Sequence, residues 1–175
     1  MLPTLDLIRD LFRHMEWADA SVWRALLRSD QARRDPGMHE RLHHIHLVQH
    51  AFFSLWRDER LELPEASTFP DLPSIGRWAR GYYRSLGPQL DLFEDAMLTP
   101  KLKIPWAARL TRQFGRDPAG VSVGESMLQV AMHSINHRGQ VNMRLREMGG
   151  DAPLVDYIAW LWLARPDSVW PEEIE

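Results

Sequence analysis

Apolar side chains recur at helical spacing through four long stretches of this chain, and that recurrence restricts its fold more than any other feature. The first stretch, about residues 4–28, places Ile8, Leu11, Phe12, Met15, Ala18, Val22, Ala25 and Leu26 on one stripe. QARRDPG then interrupts the pattern. The second stretch runs from about Met38 to Asp58. LELPEASTFPDLPS follows, too long for a tight turn and suited to crossing the surface or the end of a bundle. Ser74 offers an N-cap for the third stretch, about 75–97, within which Gly87-Pro88 predicts a kink or a break. Residues 99–121 hold prolines and glycines without a period, and a short hairpin is expected around Leu102–Ile104. The fourth stretch, about Ser122 to Met148, stops at Gly149-Gly150, which suits a left-handed C-cap. A short fifth helix is expected over Leu154–Leu163. Four long helices with few strand signals predict an all-α four-helix bundle with a short extra C-terminal helix.

With 175 residues, one domain is expected over 1–165, leaving 166–175 as a loose tail. A net charge of −3 and a pI near 6.2 give no electrostatic footprint for nucleic acid or for an anionic membrane. No apolar run approaches the roughly 18 residues of a membrane span. The absence of cysteine removes disulfides, a thiol nucleophile and thiolate metal ligands, and it suits a reducing cytoplasm. Acidic residues inside the first apolar pattern make the N-terminus read as a helix, not a signal peptide.

Chemistry concentrates in the eight histidines, which lie on the first, second and fourth helices. His133 and His137, four residues apart, fall within about 40° of each other and share an angular sector with Met127, Val130, Val141, Leu145 and Met148. They are therefore expected to point into the bundle. On the second helix, His44 lies among Leu47, Val48, Ala51, Phe52 and Leu55, and is expected inside as well. His39, His43, His46 and His50 form a different stripe, expected to face solvent or a second subunit, with a surface metal site as the alternative its i,i+4 and i,i+7 spacing allows. Three inward histidines are either core residues, each with its own buried partner, or ligands of one metal ion that satisfies them together. The pattern is not a zincin, because Ser134 stands where HExxH needs its glutamate. Paired ExxH carboxylates are absent too, which speaks against a di-iron centre.

LIRDLFRHMEWADASVW, LHHIHLVQHAFFSLW, HSINHRGQVNMRLREMGG and the closing GGDAPLVDYIAWLW together resemble the DinB/YfiT-like family of helical-bundle metalloproteins over nearly the whole chain. The His-x3-His-Arg-Gly-Gln run is the most specific element. The resemblance implies an up-down-down-up bundle, common homodimerisation, and a divalent metal held by one histidine of helix two and two of helix four. Nickel or zinc comes first, with iron or manganese as alternatives. The ligands would be His44, His133 and His137, with His43 or His46 as the other register on helix two. Its best understood members are transferases and isomerases that use low-molecular-weight thiols such as mycothiol or bacillithiol.

Three neutral imidazoles leave a bound ion its double charge and an open position, the catalytic pattern. The chain's lack of cysteine then fits a thiol brought by a cosubstrate. Gln140 is a candidate to orient a ligand or water. Arg138 and Arg144 read as exposed helix arginines, with an anionic substrate as the alternative partner. Gly139 suggests close helix approach, and Asp156 a cap or ion pair. The competing class is a non-catalytic, metal-stabilised dimeric scaffold or ligand-binding protein, with Trp160, Trp162 and Trp170 as interface candidates.

Overall fold

The computed structural model describes residues 3–174; residues 1, 2 and 175, the ends of the expected domain and tail, lie outside them. Its helices are α1 (Leu5–Leu27), α2 (Asp30–Arg34), α3 (Pro36–Trp56), α4 (Leu72–Asp91), α5 (Thr111–Phe114), α6 (Val123–Glu147) and α7 (Tyr157–Trp162). Two short strands, β1 (Lys101–Leu102) and β2 (Val121–Ser122), pair antiparallel with Lys101 opposite Ser122. The fold class is the expected one, an all-α bundle of four long helices with a short C-terminal helix. α6 packs on both α3 and α1, and α4 closes the ring against the same two helices. Phe12, Trp23, Leu42, Phe53, Tyr82, Leu86, Val130, Val141 and Leu145 fill the centre.

The helix ends follow from local chemistry. The Asp35 side chain accepts from Met38 N, with Pro36 opening α3. Asp71, not Ser74, caps α4; the two side chains and backbones form a reciprocal capping box. Ser122 and Glu125 form the same motif at α6, and Gly149 ends that helix with φ +74°. α4 runs on through Pro88, without the expected break. Pro88 and Arg84, whose carbonyl lacks an N–H partner there, both lie on the exposed side, where water can satisfy the oxygen. QARRDPG is partly helical, with Ser29 capping α2. The expected hairpin near Leu102 is instead a closure, because β1 and β2 pin the two ends of the excursion between α4 and α6.

The tail is not loose. Trp170 and Ile174 are buried, and Trp170 Nε1 and Ser168 Oγ both donate to Glu16 Oε1. Arg33 holds Glu173 in a two-pronged ion pair at 3.0 and 2.6 Å. Ile174 reaches the backbone of α4 at Gly76, where a Cβ would come within 2.7 Å of Ile174 Cγ2. These apolar anchors are too few and too widely spaced to show a period, which is why the sequence pattern concealed them.

Candidate metal centre

α6 carries His133 and His137 one turn apart, and α3 brings His44 against them. One nitrogen from each ring lies within 4.8 Å of the other two. His44 Nε2 and His133 Nε2 approach to 3.1 Å, and the ring centroids lie 4.2–5.0 Å apart. Nitrogens on a tetrahedral zinc, with bonds near 2.0–2.1 Å, stand about 3.3 Å apart, so the cluster matches the scale of a chelate.

Two of the rings are biased toward the neutral form. Burial, followed by His137 and His44, lowers the His133 pKa to about 4. Burial and the same kind of mutual repulsion lower that of His44. Neutral imidazoles present lone pairs, as metal ligation requires. His137 Nδ1 donates to Gln140 Oε1 at 3.2 Å, which fixes its tautomer and leaves Nε2 bare. His133 Nδ1 is buried with no hydrogen-bond partner. The donor set therefore fits a divalent ion of borderline softness.

The expected orientation needs correction. His44 is exposed, and His133 and His137 are half-buried. The trio stands at the outer seam between α3 and α6, not in the bundle centre. On α6 the inward stripe runs through Met127, Val130, Ser134, Arg138, Val141 and Leu145, so each histidine sits one position to its side. On α3 the inward residues include His43, His46 and Gln49.

The stripe expected outside is likewise turned inward. His39, His43 and His50 place Nε2 3.0, 2.8 and 3.0 Å from the carbonyls of Phe69, Pro64 and Trp78. Trp78 lies between His43 and His50, stacked parallel on the latter at 4.3 Å. Burial lowers the His50 pKa to about 4, so the ring stays neutral. Carbonyls of the α3–α4 crossover, and of α4 itself for His50, thus satisfy these imidazoles, and the stripe does not face open solvent. His43 and His46, the alternative register, are outside the cluster.

Behind the trio lies a buried polar hub that the sequence reading missed. Trp23 Nε1 donates to His46 Nε2 at 3.2 Å, and His46 Nδ1 meets Gln49 Oε1 at 2.8 Å. Gln49 Nε2 then reaches Asp19 Oδ2, Tyr83 Oη and Ser134 Oγ at 3.0–3.2 Å. Tyr83 Oη donates to Asp19 Oδ2, and Arg138 Nη1 to Asp19 Oδ1, each at 2.5 Å. Arg138 is only 2% exposed and Asp19 4%. Burial would raise the Asp19 pKa, but the Arg138 guanidinium and the hydrogen bonds outweigh it and hold the carboxyl below its ordinary value. Arg138 is therefore not an exposed helix arginine. Arg144 does reach the surface, where it pairs with Asp35 at 2.7 Å. Asp156 heads α7 without a side-chain cap bond. Nothing lies within 4 Å of a Cβ built at Gly139, so close helix approach does not explain that glycine.

A helical bundle with three histidines gathered between two of its helices defines a class of candidate metal-binding bundles. The DinB family model matches residues 1–173, and the chain belongs to that family. Among solved structures, a DinB-like protein from Bacillus cereus ATCC 10987 is similar at 19% identity and a TM-score of 0.48, over 86% of this chain and 93% of that one. No curated protein matches the chain.

Proposed function

We propose that this protein binds one divalent ion, nickel or zinc before iron or manganese, through His44, His133 and His137, and uses it as a thiol-dependent transferase or isomerase on small molecules. The observation that carries the reading is the convergence of three imidazole nitrogens within 4.8 Å at an open seam. A bound ion would supply Lewis acidity that lowers the pKa of a coordinated thiol. His44, His133 and His137 would hold it as neutral donors, and Gln140 would fix the orientation of His137. The chain has no cysteine, so the thiol would be a cosubstrate: its S–H proton passes to solvent, and its sulfur bonds to an electrophilic carbon as that carbon's bond to the leaving group breaks, chloride in the case of monochlorobimane.

The protein would act in the cytoplasm on small molecules, as a homodimer, without nucleic acid or membrane partners. Among the described residues, no helix is long and apolar enough to cross a membrane. Trp162 is 78% exposed, beside exposed Ile158 and Leu163, which supports a partner surface on α7. Trp160 and Trp170 are buried and serve packing. The same surface favours the second reading, a non-catalytic metal-stabilised scaffold.

The test is thiol transfer to monochlorobimane by metal-loaded protein, with bacillithiol, mycothiol and glutathione offered separately. Turnover with one thiol that disappears in His137→Ala supports an enzyme. Full metal loading with no transfer from any of the three supports the scaffold.

A further inference from the structure

α6 has a second side with unexplained features. Ile135 and Gly139 each lie two residues from a histidine of the trio, about 200° around the helix. There a groove of about 480 Å³ runs between α6 and the segment 153–157, a size suited to a small metabolite. Gly139 lies in its wall, exposed, with open space where a Cβ would project. A mid-helix glycine lowers helix stability, and here no neighbouring atom requires it. Its missing side chain keeps the groove open.

The polar groups of the groove are of both signs. Arg138 is neutralised by Asp19. Arg146 is exposed and, unlike Arg144, has no ion-pair partner among the described residues. Asp156 is exposed and caps nothing. Asn142, 5% exposed, commits Nδ2 to Pro153 O at 3.3 Å, and its buried Oδ1 has no donor. Ile135 and Leu154 present exposed apolar surface at the same groove. One free cation, one free anion, an acceptor without a donor and an apolar wall are complementary to a zwitterion with a hydrocarbon side chain.

We propose that this groove is a second small-molecule site, separate from the histidine trio, that takes an α-amino acid with an apolar side chain. Arg146 receives the carboxylate, Asp156 and the Asn142 amide oxygen face the ammonium, and Ile135 and Leu154 pack on the side chain.

The experiment is titration of the full chain with L-leucine, followed by calorimetry and amide NMR. 4-Methylpentanoate, which lacks the ammonium, and isopentylamine, which lacks the carboxylate, serve as half-ligands. Saturable leucine binding is expected, with shifts at Gly139, Asn142 and Leu154, and each half-ligand weaker by about tenfold or more. Gly139→Leu fills the groove and abolishes binding while the thermal midpoint holds or rises. Arg146→Gln weakens binding by about tenfold. One equivalent of zinc leaves the affinity unchanged. No binding at about 10 mM leucine overturns the proposal, being weaker than any useful recognition. Half-ligands as tight as leucine, full affinity in Gly139→Leu, or binding that appears only with zinc overturn it equally.

Discussion

Replacing Arg138 by Met tests how the bundle supports its histidine seam. The variant keeps the length and apolar stem of the side chain but leaves Asp19 buried without its cation. Breaking a buried ion pair on one side costs roughly 3–5 kcal/mol. Protonation caps that cost. Bringing a carboxyl of ordinary pKa 3.8 to its neutral form at pH 7 takes about 4 kcal/mol, at 1.36 kcal/mol per pH unit. Tyr83 and Gln49 still donate to Asp19, so a loss of about 3–4 kcal/mol is expected at pH 7. In the variant, burial is opposed only by His46 and the Tyr83 and Gln49 hydrogen bonds, and the folded pKa of Asp19 is expected above the unfolded one. Stability is then lost as pH rises, and the deficit shrinks to about 2 kcal/mol at pH 5. The double variant Asp19→Asn/Arg138→Met removes both charges and recovers most of the loss. Urea unfolding followed by tryptophan fluorescence at both pH values measures this. A deficit under about 1 kcal/mol, or one equal at pH 5 and pH 7, would refute the reasoning.

Gly76→Ala places a methyl group 2.7 Å from Ile174 Cγ2 and should undock the tail, at a net loss of about 1–2 kcal/mol and with faster proteolysis after Trp170. A raised melting temperature with unchanged proteolysis would contradict tail docking. Acid should weaken the metal-free fold through His50 and His133, which stay neutral when folded while the unfolded chain binds protons near 6.5. Stability therefore falls between about pH 6.5 and pH 4. His50 accounts for up to about 3 kcal/mol, and the more exposed His133 for less. His50→Phe should flatten that decline, as read by urea midpoints across the range. Gln140→Ala should weaken metal binding about tenfold without moving the metal-free melting temperature; an unchanged affinity would mean Gln140 does not orient His137.

Much of the fold was legible because its signals are local. The helix period, the start of the fourth helix near Ser122 and the glycine at 149 act within a few residues. The histidine trio was legible for the same reason on α6, where the i,i+4 spacing itself brings the rings together. Its orientation was not. α3 buries residues on more than one side, so apolar neighbours such as Leu47 and Val48 did not mark its inward face. The imidazoles of His39, His43 and His50 find acceptors 21–30 residues away, in the crossover and in α4, which no helical period records. Arg138 looked like a surface residue because its partner Asp19 lies 119 positions earlier.

The most direct test of the central claim is metal content and affinity of untagged protein, by elemental analysis and by zinc and nickel calorimetry. His44→Ala, His133→Ala and His137→Ala are run beside His39→Ala, whose ring bonds the Phe69 carbonyl outside the cluster. One ion per chain is expected, retained by His39→Ala and weakened at least about tenfold in each of the other three. No bound metal after reconstitution, or equal binding in all four variants, would contradict it and leave the trio as helix packing alone.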